Sequence, residues 1–304
     1  MPLISIITVN YNQPEATIAL LKSIGLHYPD MPLEIILVDN GSTKNCESSF
    51  LKQRKDIIFI RSEKNLGFAG GNNLGLKAAT GEFLFLVNND TEFLPGLLEQ
   101  LSGAMAENSA IGIISPKILY FDEPEVLQYA GFTEMNYYTC RNHCIGQFEK
   151  DLGQYDNLLK ETGFAHGAAM MISRKALDAA GRMAENFFLY YEEMDWCERI
   201  KKAGFKVFIN THASIFHKES LSVGKNSALK EYFMNRNRIL FIRKNANFFQ
   251  RMLFYLYFIT LVTPRNMFKY LKKGNKTYIA VLFRAIKWNI SNKTTSPLLG
   301  FTLK

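Results

Sequence analysis

Four short polar segments each follow an apolar run directly: Thr8-Val9-Asn10-Tyr11-Asn12, Val38-Asp39-Asn40-Gly41-Ser42, Asn65-Leu66-Gly67-Phe68-Ala69-Gly70-Gly71-Asn72-Asn73 and Val87-Asn88-Asn89-Asp90-Thr91. Asn, Asp, Gly and Ser are turn residues, so any one segment is accounted for as a turn. Four at the same place after successive runs are harder to dismiss, because open α/β sheets bind ligands beyond the carboxyl ends of their strands. The glycine-rich segment matches neither the Walker pattern nor the dinucleotide fingerprint, which disfavours P-loop phosphoryl transfer and nicotinamide chemistry. Its glycines still allow backbone to come close to a diphosphate. Glu192-Glu193-Met194-Asp195 gathers three carboxylates behind five apolar or aromatic residues, a composition that also suits a helix's first turn. Cys140-Arg-Asn-His-Cys144 has metal-ligand residue types but no second pair, and reads as a loop.

These segments need elements to position them. Over the first 115 residues, short runs rich in Ile, Val and Phe alternate with amphipathic stretches of helical length, the βαβ rhythm of parallel strands buried on both faces. The pattern predicts strands at Leu3–Val9, Leu33–Val38, Ile57–Arg61, Phe83–Val87 and Ile111–Ser115, with helices near Pro14–His27, Gly70–Ala79 and Pro95–Glu107. Asn12 with Pro14 marks a helix start, since proline's fixed φ and missing donor suit a first turn. Residues 119–160 lose periodicity and read as a long connection or small insertion. Regularity returns at Gly167–Ser173, in a helix about Met194–Ala203, and in short strands at Val207–Asn210 and Ser214–Phe216.

The chain has 304 residues, 47% hydrophobic and 21% charged, enough for a sizeable core and unlike a disordered or disulfide-stapled protein. Four cysteines agree with a reducing compartment. The opening MPLISIITVN has no basic region or cleavage site of a secretory signal, so a cytoplasmic location is expected. A net charge of +8 hides an asymmetry: residues 218–304 carry seventeen Lys/Arg against Glu219 and Glu231, leaving nineteen against twenty-six acids in residues 1–217. From Tyr232 onward there is no acid at all, which suits an anionic partner such as lipid headgroups. Met252–Thr263 is an apolar run of twelve residues between Arg251 and Arg265, short of the roughly 20 needed to span a bilayer. Its basic flanks and aromatics suit a helix lying in the membrane interface, and a core helix with a solvated basic face is the competing reading.

Taken as an ordered set, TVNYN, VDNGS, NLGFAGGNN, LVNNDT, GAAMMISRKAL, FFLYYEEMDWCERIKKAGF and IFHKES resemble the family 2 inverting glycosyltransferases, in particular bacterial rhamnosyl- and galactofuranosyltransferases, over about residues 3–245. The resemblance implies an α/β, GT-A nucleotide-diphospho-sugar transferase fold: a mostly parallel central sheet flanked by helices. Its expected division is a catalytic domain at 1–227 and a basic, membrane-facing helical extension at 228–304. It implies that Asp39 holds the base or ribose of a nucleotide diphosphate sugar, with Thr8, Asn10 and Tyr11 in the same pocket, and Asn65, Gly67, Asn72, Asn88 and Asn89 as further donor contacts. Asn88-Asn89-Asp90 stands at the family's D-x-D position, where carboxylates hold a divalent cation. Here Asn88 offers only a neutral amide oxygen, so Asp90 carries the metal with His217 as the matching ligand, an O/N set suited to Mg²⁺ or Mn²⁺. Glu193 takes the place of the family's catalytic base, with Glu in place of the usual Asp, and Glu192 and Asp195 are acceptor-positioning or structural. His166 and Gly167 border the acceptor pocket.

The expected reaction is inverting transfer of one sugar to a saccharide hydroxyl, the acceptor carried on a lipid at the cytoplasmic membrane face, with no nucleic acid involved. Two rivals stand beside it. A sugar nucleotidyltransferase would need basic residues near the first strand to bind triphosphate, and Leu3–Pro14 contains none. A non-catalytic protein binding nucleic acid or another anionic surface through the basic tail would need a nucleic-acid module, and none is recognisable. Because every expected donor contact precedes residue 218, a chain ending at Asn247 is expected to stay folded and to bind donor.

Overall fold

The computed structural model describes residues 3–218 and 227–302. The expected rhythm produces β1 (Ile4–Asn10), α1 (Pro14–His27), β2 (Leu33–Asn40), α2 (Glu47–Gln53), β3 (Ile58–Ser62), α3 (Gly67–Ala78) and β4 (Phe83–Val87). Strands β3, β2, β1 and β4 lie side by side and parallel, with Ile4 opposite both Leu33 and Phe83. Side chains on both faces are buried because helices cover both: Ile6, Leu37 and Phe85 join one apolar cluster with Leu20 of α1, while Ile7, Ile36 and Leu86 join another with Leu76 of α3. Helix α3 comes close enough for this only because Gly75 faces β1, where a Cβ would lie 2.4 Å from a methyl of Ile7.

Beyond β4 come β5 (Thr91–Phe93), α4 (Leu97–Glu107), β6 (Ile111–Tyr120), β7 (Leu127–Tyr129), β8 (Leu159–Glu161), β9 (Ala169–Ser173), α5 (Arg174–Ala180), α6 (Glu192–Lys202) and β10 (Lys206–His217). The sheet order continues from β4 through β9, β6 and β10 to β5. Strand β9 runs antiparallel to both β4 and β6, and β5 folds back antiparallel onto the end of β10, with Thr91 opposite His217. The two short strands expected at Val207–Asn210 and Ser214–Phe216 are one strand, β10, whose register to β6 shifts between Asn210 and Ser214. The stretch 119–160 carries β7 and isolated bridges such as Phe132 to Cys144, and it packs down onto the sheet's end.

The C-terminal helices are α7 (Ala228–Asn245), α8 (Phe248–Tyr257), a π-helical turn (Phe258–Val262), α9 (Thr263–Lys272) and α10 (Lys276–Ser291). The apolar core runs on across residue 228. Ile239, Leu240 and Phe241 of α7, with Phe254, Phe258, Tyr270, Leu282 and Trp288 behind them, belong to the cluster that contains Ile7 and Trp196. The expectation that residues 1–247 stand alone therefore meets a packing objection: truncation there would uncover the buried face of α7.

Candidate active site

A cavity of about 870 Å³ opens at the carboxyl ends of β1, β2 and β4. Of the expected site residues, Tyr11, Asn65, Gly67, Asn72, Asn88, Asn89, Asp90, His166, Gly167, Glu192, Glu193 and His217 line it; Thr8, Asn10, Asp39 and Asp195 do not.

The absent four are tied up beneath or beside the wall. Asp39 is 1% exposed; it accepts from Asn10 Nδ2 at 3.1 Å and pairs with Arg61 Nη1 at 2.9 Å. Asn10 Oδ1 accepts from Thr17 Oγ1 at 3.0 Å, stapling α1 to β1, and Thr8 is fully buried. Asp195 is buried away from the cavity, bound by Arg199 Nε at 3.1 Å, Lys244 Nζ at 2.9 Å and Asn245 Nδ2 at 3.0 Å. Of the two roles expected for it, these contacts are those of the structural one, locking α6 to α7.

Several lining residues also have local duties. Asn65 Oδ1 accepts from Gly67 N at 2.8 Å and Asn40 Nδ2 at 3.2 Å, which shapes the turn into α3. Gly67 has φ +74°, and a Cβ there would lie 2.2 Å from the Phe188 carbonyl oxygen. Its close approach is thus to Phe188. Asn89 Nδ2 donates to Thr17 Oγ1 at 3.0 Å, and Asn72 Nδ2 to Phe68 O at 3.0 Å.

Asp90 and His217 meet because β5 pairs with the end of β10. Asp90 Oδ1 and His217 Nε2 are 3.2 Å apart, both buried, and neither has a hydrogen-bond partner among the described residues. On the ring's other side Nδ1 lies 2.8 Å from Gln128 Oε1, an oxygen that can only accept. Nδ1 therefore carries a proton on that side, and Nε2 faces the carboxylate. A carboxylate oxygen and a ring nitrogen buried this close need a proton or cation between them. A carboxylate oxygen and an imidazole nitrogen at this separation are a donor set that fits a divalent cation of the Mg²⁺ or Mn²⁺ class. The described residues hold no group of three His, Cys, Asp or Glu side chains suited to a metal.

Glu192 and Glu193 open α6, which places both at the cavity wall. Burial lifts both carboxyls above the ordinary range, and Glu193's charge adds to the effect on Glu192, whose Oε2 is buried without a hydrogen-bond partner among the described residues. Gly167 lies against Glu193: a Cβ there would touch its side chain at 3.7 Å. Burial, with His217 nearby, lowers the His166 pKa to about 3, so the ring is neutral. Its Nδ1 accepts from Ala168 N at 3.1 Å, leaving an Nε2–H to donate. The arrangement puts the Glu192–Glu193 carboxyls, a neutral imidazole and the Asp90–His217 pair in one pocket.

The description Glycosyl transferase family 2 matches residues 5–181. The chain belongs to this family. The family 2 transferase is 28% identical over 304 residues to the low-salt glycan biosynthesis hexosyltransferase Agl10 of Haloferax volcanii, covering 97% of this chain and 93% of that protein. It is 21% identical over 243 residues to the N-acetylglucosaminyl-diphospho-decaprenol L-rhamnosyltransferase of Mycobacterium tuberculosis, covering 73% and 78%. In fold it resembles S. aureus TarS 1-349 in complex with UDP-GlcNAc (TM-score 0.58, 18% identity, 93% and 80% covered). It also resembles the Pyrobaculum calidifontis mannosyltransferase PcManGT in complex with GDP-Man and Mn²⁺ (0.57, 14%, 95% and 87%). The sheet and its flanking helices are those of a GT-A glycosyltransferase, and the activity is glycosyl transfer.

Some lining residues of the transferase carry no sequence signal. Gln128 and Phe132 come from the aperiodic stretch 119–160, and Lys64 and Lys230 also reach the cavity. Phe132 stacks on the His166 ring, centroids 6.0 Å apart and planes 2° from parallel. Only the pairing of β7 with β6 reveals Gln128. Arg61 was findable: it ends an expected strand beside the one carrying Asp39.

Proposed function

We propose that this chain transfers one sugar, with inversion, from a nucleoside diphosphate sugar to a hydroxyl of a lipid-linked saccharide. The observation that carries the reading is one cavity holding both the Asp90–His217 pair and the buried Glu192–Glu193 carboxyls. In the reaction the acceptor oxygen bonds to the anomeric carbon as Glu193 takes its proton, and the electron pair of the breaking C–O bond leaves with the diphosphate. The raised carboxyls favour uptake of that proton. Glu192 shares the pocket wall, and His166 Nε2–H is available to a sugar oxygen. Asp90 and His217 are the residues that would hold a divalent cation, Mn²⁺ or Mg²⁺. When bound, the ion offsets the charge on the departing diphosphate.

A lipid-linked acceptor is supported by the decaprenol-bound substrate in the name of the mycobacterial relative. The C-terminal surface supports a peripheral place on the inner face of the cytoplasmic membrane. Phe248, Phe249, Met252, Leu256, Ile259, Leu261, Phe268 and Leu271 are exposed, among exposed Arg265, Lys269, Lys272 and Lys273. That combination fits an anionic bilayer. No described helix is long and apolar enough to cross a membrane.

The test is Glu193→Gln, which keeps size and polarity and removes the proton acceptor. Transfer is expected to fall by about 10²–10⁴-fold, with donor affinity by calorimetry unchanged. Transfer at the wild-type rate would refute Glu193 as the base.

A further inference from the structure

Between the 3₁₀ turn at Glu185–Phe187 and α6, three residues hold left-handed backbone without being glycine: Phe188 at φ +66°, Tyr190 at +69° and Tyr191 at +73°. Each such L-residue is strained, so surrounding contacts must hold the segment in place. Tyr191 is the N-cap of α6 and contributes no side-chain cap, so the course of this loop sets where Glu192 and Glu193 stand.

Two elements grip the loop. On the donor side, Phe188 O accepts from Phe68 N at 2.8 Å, at the point where Gly67 allows contact. On the other side stands Asn237, fully buried on α7, with Nδ2 at 2.9 Å from Phe187 O, 2.8 Å from Leu189 O and 2.9 Å from Tyr190 O. Its Oδ1 accepts from Arg236 Nη1 at 2.8 Å, which fixes the amide's orientation; Arg236 also donates to Asn186 O and lies 4.0 Å over the Trp288 ring. One amide thus gathers three carbonyls of the loop.

We propose that Asn237 is a positioning residue for glycosyl transfer: from α7 it holds the Phe187–Tyr191 loop so that Glu193 meets the acceptor hydroxyl. This rests on the reading of Glu193 as the base. It also assigns α7, outside the matched family segment 5–181, a part in the reaction.

The experiment is a double-mutant cycle on the full chain. Asn237→Ala is expected to lower kcat by about 10²-fold, the scale of a misplacement near 1 Å, while UDP or GDP affinity by calorimetry stays within about twofold of wild type. Leu240→Ala, one turn along in the core of α7, serves as the control for stability alone; it is expected to lose at least as much Tm and to keep kcat. In the Glu193→Gln background, Asn237→Ala is expected to cost nothing further, because its effect runs through that carboxylate. Should Asn237→Ala fail to fold, Asn237→Ser, which keeps one donor, is held to the same criteria. Near-wild-type kcat in the Asn237 variant, a loss no greater than that of Leu240→Ala, or additive losses in the cycle would each overturn the proposal. A fully active Glu193→Gln would overturn the base assignment instead, and the two failures are distinguishable.

Discussion

Glu192 has a carboxylate oxygen buried without a hydrogen-bond partner among the described residues, and burial with Glu193's charge raises its pKa well above the ordinary value. Between the unfolded and the raised value the unfolded chain binds fewer protons, so stability falls as pH rises through that window and is undiminished below it. Glu192→Gln never ionises; its Tm is expected to exceed wild type by more at pH 8 than at pH 4, and equal differences at both would contradict the burial argument. Gln128 makes a second case. Gln128→Leu removes the acceptor that fixes the His217 tautomer, and Mn²⁺ affinity measured by EPR titration with UDP present is expected to weaken by about 10–100-fold. Asp90→Ala is expected to abolish this binding, and an unchanged titration in both variants would rule out the pair as the metal site. Asp90 and Glu193 stood out in the sequence because polar residues at strand and helix ends are conspicuous, while the roles proposed for them came only with the family resemblance. Gln128 did not stand out, because a glutamine in an aperiodic stretch has no pattern to mark it. Asp39 was conspicuous too, yet its burial beneath Asn10 and Arg61 depends on three strands meeting, which spacing along one chain does not express.

Among elements, β1 to β4 and their helices stand in the sequence because strands buried on both faces are uninterrupted apolar runs. Short elements escaped for the opposite reason: β5 has three residues, α2 has seven, and neither is long enough to show a period. Helix α6 begins at Glu192, two residues before its expected start, because the acidic pair is its first turn. Helix α3 begins at Gly67, three residues early, since the loop glycine is the helix's first residue. That position gives an element-scale prediction. Gly67→Ala adds a Cβ against Phe188 O at positive φ and is expected to lower Tm markedly and loosen the Phe187–Tyr191 loop. Gly103→Ala, in α4 where nothing lies within 4 Å, is expected to be neutral or to stabilise by about 0.5–1 kcal/mol. Thermal melts of the two variants side by side check the contrast.

Over the whole molecule, the charge asymmetry was legible by counting, whereas the core's continuity through α7 to α10 was not, because helical periodicity names an apolar face without naming what covers it. Truncation after Asn247 is now expected to unfold the chain by uncovering Ile239, Leu240 and Phe241, with loss of near-UV circular dichroism as the readout. Membrane docking is better tested by Phe248→Ser with Leu256→Ser and Phe268→Ser, all on exposed positions. The folded triple variant is expected to stay in the supernatant where wild type sediments with anionic vesicles, and equal sedimentation would place the contact elsewhere. The pairing of β5 with β10 also bears on biosynthesis. Asp90 is made early and His217 late, and at about 5–20 residues per second the ribosome needs roughly 6–25 s to travel between them. Through that interval β5 has no partner strand, and once β6 is made its edge waits for β10, so a product truncated before residue 206 would be a sheet with an open side.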